Sequence, residues 1–154
     1  MSEDKYRAAL DMAAKQLSYR ALSAKMLRDK LLAKGHDEEA ADYALAWLTE
    51  RSLLNDMLFA ESVVRGYARK GYGAARIRQM LYAKHIPREL WDEALAELPE
   101  QDDAIDAFLQ KRFRGRQPDR TEIRRAADAL LRRGHAWGDI RRALERYDPD
   151  LPEE

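Results

Sequence analysis

The chain has 154 residues, 28 basic and 28 acidic side chains, and no cysteine. That length fits one ordinary domain or a short array of small repeats. The absent thiols exclude disulfides, thiolate metal sites and a cysteine nucleophile. Charged residues make up 36% of the chain, so the formal neutrality is a balance of two abundant signs, and a uniformly basic nucleic-acid coat is not expected. The opening Ser2-Glu3-Asp4-Lys5 lacks the apolar core of a secretory signal. No apolar run approaches the ~20 residues of a membrane span. A cytoplasmic protein with no membrane contact is expected.

Helical periodicity runs through the chain, and sustained two-residue alternation is absent, so the reading is all-α. Tyr6, Leu10, Ala13 and Leu17 mark a first helix. Ser23 caps a second that stops at Gly35, and Asp37 caps a third that ends near Arg51. Asn55 or Asp56 opens a fourth that stops at Gly71, and a fifth runs from about Ala74 to Lys84. Pro87 fits the first turn of a sixth, which ends before Pro99. The seventh spans about Asp102 to Arg112. Asp119 or Thr121 opens the eighth, which stops at Gly134. The ninth spans about Gly138 to Tyr147, with Ala136 a poor cap before it.

A repeat underlies these nine elements. Leu27, Leu31, Lys34, Ala44 and Leu48 align with Ile77, Leu81, Lys84, Ala94 and Leu98, 50 residues on, and with Ala126, Leu130, Arg133, Ala143 and Tyr147, a further 49 on. The expected organisation is three tandem three-helix units, 1–51, 52–99 and 100–148, in an elongated, curved array with a disordered tail at 149–154. Gly35 and Gly134 occupy helix-ending positions that call for a left-handed backbone. The second copy places His85 there, which predicts strain. All three histidines, His36, His85 and His135, therefore fall at such turns and read as packing residues, not as one metal site.

Chemistry-bearing motifs are few. There is no HExxH, no G-x-S-x-G and no phosphate loop after a strand; Lys70-Gly71-Tyr72-Gly73 follows a helix. No enzyme activity, catalytic residue, metal or cofactor is expected. Charge placement is the informative signal. Arg65, Arg69, Lys70, Arg76, Arg78, Lys84 and Arg88 fall in a window of 24 residues with no acid. Between Lys111 and Arg142 eleven basic residues, among them Arg124, Arg125, Arg132 and Arg133, face four acidic ones. Tyr67, Tyr72, Tyr82 and Phe113 are interleaved with these arginines. Basic residues among aromatics suit phosphate contact and base stacking. The two basic blocks are expected to form one contact face for a partner or DNA, alongside the simpler reading of solvated helix faces with core aromatics.

The ordered set Leu17-Ser18-Tyr19-Arg20-Ala21-Leu22-Ser23, Leu27, Leu31 and Lys34-Gly35, then Leu53-Leu54-Asn55-Asp56, Phe59-Ala60 and Val63, then Lys70-Gly71-Tyr72-Gly73, Arg76-Ile77, Leu81 and Lys84-His85-Ile86, resembles the first two repeats of the RecX regulators. Arg132-Arg133-Gly134-His135, Ile140 and Leu144 resemble the third. The resemblance covers nearly the whole chain. It implies a small cytoplasmic protein without enzymatic activity that binds the RecA recombinase, and the 50- and 49-residue repeat spacing predicts a monomer. The expected target is the RecA filament on single-stranded DNA, occupied along its groove, with suppression of ATP hydrolysis, strand exchange and co-protease function. Single- or double-stranded DNA is a second expected partner. The alternative from the residues alone is a stand-alone nucleic-acid-binding repeat protein. The chain departs from the family pattern at His36 and His135, where an apolar residue usually follows the turn glycine, and at His85.

Overall fold

The computed structural model describes residues 2–151. Among them there are helices and no strands: α1 Ser2–Tyr19, α2 Ala24–Ala33, α3 Glu38–Glu50, α4 Asp56–Arg69, α5 Ala74–Ala83, α6 Trp91–Leu95, α7 Gln101–Phe113, α8 Arg120–Arg132 and α9 Trp137–Leu144. The all-α expectation holds.

Local chemistry explains most boundaries. The first four amides of a helix lack partners inside it. Ser23, Asp37 and Asp119 each supply a side-chain oxygen, accepting from the amides of Met26, Ala40 and Glu122. Asn55 does the same for Leu58. Asp119 and Glu122 close a reciprocal capping box at the start of α8. At the other ends, Gly35 and Gly134 stand at φ +97° and +94°. There the amides of His36 and His135 reach back to the carbonyls of Leu31 and Leu130, both at 3.1 Å. The second copy repeats the bond from Ile86 to Leu81 with His85 at φ +57°. A β-carbon is thus held in the region that glycine occupies freely, the strain expected from sequence.

Two elements differ from expectation. Pro87 stands at the cap position before α6, and no side chain satisfies the first amides. The start therefore tightens into a 3₁₀ turn, Arg88–Leu90, with the Leu90 amide on the Pro87 carbonyl at 3.0 Å. The Trp91 indole fixes the turn by donating to the Ile86 carbonyl at 3.0 Å. The α9 helix ends at Leu144, and Tyr147 follows in a turn whose amide meets the Leu144 carbonyl at 2.8 Å.

The repeat register appears as burial. Leu27, Ile77 and Ala126 are sealed from solvent, as are Leu31, Leu81 and Leu130. Ala44, Ala94 and Ala143 are buried as well. Leucines so enclosed contribute about 2 kcal/mol each by burial.

The chain forms two compact units, Met1–Ser62 with Leu81–Ala94, and Val63–Met80 with Leu95–Glu154. The second repeat is divided between them, because α4 and α5 each pass from one unit to the other. In the first unit, Ala9, Ala13, Leu22, Leu27, Leu31 and Leu48 pack with Leu54 in one core. The Ser23 hydroxyl, buried, donates to the Lys84 carbonyl at 2.7 Å, and the Ala24 amide donates to Asp56 Oδ1 at 2.8 Å. In the second unit, Ile105, Leu109, Phe113, Ile123, Leu130, Ile140 and Leu144 form the core. Leu151, in the segment expected to be a tail, is half-buried against that core. Residues 152–154 of that expected tail lie outside the described residues.

Candidate functional site

The second unit brings two helix-ending turns together. One follows α4 at Lys70-Gly71-Tyr72-Gly73, and the other follows α8 at Arg133-Gly134-His135. The Gly73 amide donates to the Arg133 carbonyl at 2.7 Å, and the Ala75 amide to the Gly134 carbonyl at 3.1 Å. The Arg133 guanidinium donates to the Lys70 carbonyl at 2.9 Å. His135 is 4% exposed, and its Nε2–H donates to the Gly71 carbonyl at 2.8 Å. Its Nδ1 is buried without a partner. Burial holds the imidazole below its ordinary pKa, helped by the Arg133 charge and opposed by the Gly71 bond.

The approach is close enough to require glycine on both sides. A β-carbon on Gly73 would lie 2.5 Å from the Gly134 carbonyl oxygen, and one on Gly134 would lie 2.3 Å from the Arg76 amide nitrogen. Ordinary side chains are excluded from both positions.

Tyr72 and Arg133 of these turns also line a cleft, together with Arg76, Phe108, Arg112 and Arg132. The Arg133 guanidinium stands 5.5 Å from the centre of the Tyr72 ring and 5.3 Å from that of Phe108. Arg76 approaches Tyr72 at 5.9 Å, and Arg112 approaches Phe108 at 5.7 Å. Such contacts let like charges gather while their planar forks stay oriented. Arg76 also donates to Gln79 Oε1 at 2.9 Å. Among the described residues, no carboxylate pairs with Arg76, Arg112, Arg132 or Arg133. Elsewhere in the same unit Arg116, Arg141 and Arg142 do have carboxylate partners. The cleft therefore gathers four guanidiniums whose charge no carboxylate of the described residues offsets.

The residues singled out from sequence distribute unevenly. Arg76, Arg132 and Arg133 meet in the cleft. Lys70 borders it through its carbonyl, with its ammonium over Tyr67 at 5.2 Å. Arg65, Arg69, Arg78 and Arg125 are exposed in the same unit. Arg124 lines a different groove of that unit, with Arg120 and Trp137. Lys84 belongs to the first unit. Sequence reasoning missed Arg112 and Phe108, although both stand on α7 at the four-residue spacing that places side chains on one helix face. Of the interleaved aromatics, Tyr72 lines the cleft, Phe113 is core, and Tyr82 is 75% exposed in the first unit.

No helix among the described residues is long and apolar enough to cross a membrane. No group of three or more His, Asp or Glu side chains is placed to hold a metal ion among those residues.

Comparison with known proteins assigns the three repeats. Residues 9–48 match the first three-helix domain of RecX, 55–95 the second and 100–144 the third. Regulatory protein RecX of Stenotrophomonas maltophilia is 41% identical over 131 residues, covering 83% of this chain and 79% of the relative. That of Vibrio parahaemolyticus is 33% identical over 127 residues, covering 80% and 81%. The crystal structure of RecX from Lactobacillus salivarius has the same fold, with a TM-score of 0.85 at 22% identity over 96% of this chain and 99% of that one. A second RecX crystal structure gives 0.79 at 24% identity, over 93% of this chain and 73% of its own. The repeat register, the turn chemistry and these matches agree: the chain belongs to the RecX family of regulatory proteins.

Proposed function

We propose that the protein binds the filament of a RecA-type recombinase on single-stranded DNA, along its groove, and suppresses its ATPase, strand-exchange and co-protease activities. On this reading it acts without chemistry of its own, as a cytoplasmic monomer. Three repeats can touch successive recombinase protomers, so weak single contacts add through avidity. The observation that carries the reading is the arginine cleft. Four guanidiniums without carboxylate partners line it with Tyr72 and Phe108, and desolvating them is favourable only against an anionic partner.

The test is recombinase ATPase on single-stranded DNA, titrated with the protein at substoichiometric amounts. Arg76→Glu with Arg132→Glu should weaken inhibition more than tenfold, since each reversed contact costs about 1 kcal/mol or more. Arg76 lies in the first turn of α5, where a carboxylate complements the helix dipole, so the fold should persist. Equal inhibition by the folded variant would remove the cleft from the mechanism. The stacking of guanidinium and ring also favours a second reading, binding to naked nucleic acid. Binding to DNA alone, with affinity falling steeply as salt rises, would support it.

A further inference from the structure

Two sets of carboxylates stand apart along the first three helices of the first unit. Asp29, Asp37, Glu38, Glu39 and Asp42 each meet a lysine or arginine at 2.8 to 3.8 Å. Glu3, Asp4 and Asp11, all exposed on α1, have no cationic partner among the described residues. These three line a groove whose wall is aromatic, formed by Tyr6 of α1 with Tyr43 and Trp47 of α3. The Tyr6 and Tyr43 rings lie 5.0 Å apart at 30°, and Trp47 continues the wall one helical turn on. Arg7 is the one basic residue of the lining, so three carboxylates outweigh a single guanidinium.

The wall already receives cations from the chain itself. The Arg51 guanidinium sits 3.8 Å from the centre of the Trp47 ring, and the Lys5 ammonium 5.3 Å from that of Tyr6. Ring faces attract cations, and carboxylates beside them add a charge term of the same sign. The groove thus repels a polyanion and offers a cationic side chain both an apolar stem contact and a charged end.

We propose that this groove of the first repeat is a docking surface for a basic segment of a protein partner, which lays an arginine or lysine side chain over Tyr43 and Trp47 with its charge against Asp4 and Asp11. It adds a second contact to the regulatory reading, yet stands for any protein partner carrying such a segment. Its complement, the arginine cleft, would meet acidic groups, so one neutral chain presents two surfaces of opposite preference.

The experiment needs no recombinase, so either proposal can fail without the other. The intact ¹⁵N-labelled protein is titrated with the blocked peptide acetyl-Leu-Arg-Leu-Arg-amide, and separately with its Leu-Glu-Leu-Glu counterpart. The arginine peptide should shift the amide signals of Tyr6 and Tyr43 and the Trp47 indole signal with millimolar affinity, and the glutamate peptide should leave them in place. The exposed double substitution Asp4→Asn with Asp11→Asn should weaken the arginine peptide about threefold or more. Equal binding of both peptides would identify an unselective apolar groove and overturn the proposal. Unchanged affinity in the variant, or no shift at these residues, would overturn it equally.

Discussion

The amide of Gly73 donates to the carbonyl of Arg133 across 2.7 Å, tying together two helix-ending turns 60 residues apart in the chain. One turn brings Tyr72 and the start of α5, the other brings Arg133 and His135. The basic cleft exists because this backbone joint holds both.

Gly73→Ala should therefore destabilise the protein by roughly 2–3 kcal/mol, since the new β-carbon would meet backbone atoms that cannot rotate away. Gly66, inside α4, has nothing within 4 Å of the equivalent position. Gly66→Ala should stabilise by about 0.5–1 kcal/mol through helix propensity. Urea unfolding of the pair checks both signs.

His85 holds a left-handed backbone without being glycine. His85→Gly should relieve that strain and stabilise by up to about 1 kcal/mol, after subtracting glycine's greater freedom in the unfolded chain. The same measurement reads it; a loss of stability would show that the imidazole makes a contact worth more than the strain.

His135 sets a pH dependence. Its folded-state pKa lies below the ordinary imidazole value of about 6.5, because burial disfavours the cation. The unfolded chain takes up the proton first as pH falls. Stability from this group is thus complete above about pH 6.5 and declines as pH drops toward the folded value. Unfolding free energy measured from pH 7.5 to 5 should fall in this window, and His135→Leu should flatten the curve. An unchanged curve in that variant would assign the effect elsewhere.

Arg133 and Arg132 carry the same charge but different geometry. Arg133 bridges two rings and donates to Lys70, and Arg132 is exposed at the cleft edge. Arg133→Lys keeps the charge and loses the planar stack, so it should weaken recombinase inhibition several-fold more than Arg132→Lys. Equal effects would mean that the cleft offers charge alone.

Local chemistry made the helices legible. Ser23, Asp37 and Asp119 cap where their side chains can reach an amide two or three residues on, and Gly35 and Gly134 end helices where a left-handed residue is needed. Such signals act within a single turn, so they survive in the linear sequence. The repeat was legible for the same reason: Leu31, Leu81 and Leu130 recur at one point of one local pattern. The start of α6 was less so, since the uncapped amides after Pro87 settle into a 3₁₀ turn only with Trp91 anchored on Ile86.

The sequence by itself determined the all-helical class, the threefold repeat and the excess of arginine in its later part. The tertiary structure alone decided which arginines meet. It set Arg112 and Phe108 of α7 beside Tyr72, Arg76 and Arg133, and left Arg124 on another groove. It also divided the second repeat between two compact units. These relations rest on contacts between residues tens of positions apart, such as the Gly73–Arg133 bond. No helical period or cap encodes such a contact, because its energy arises only once both turns have formed and packed.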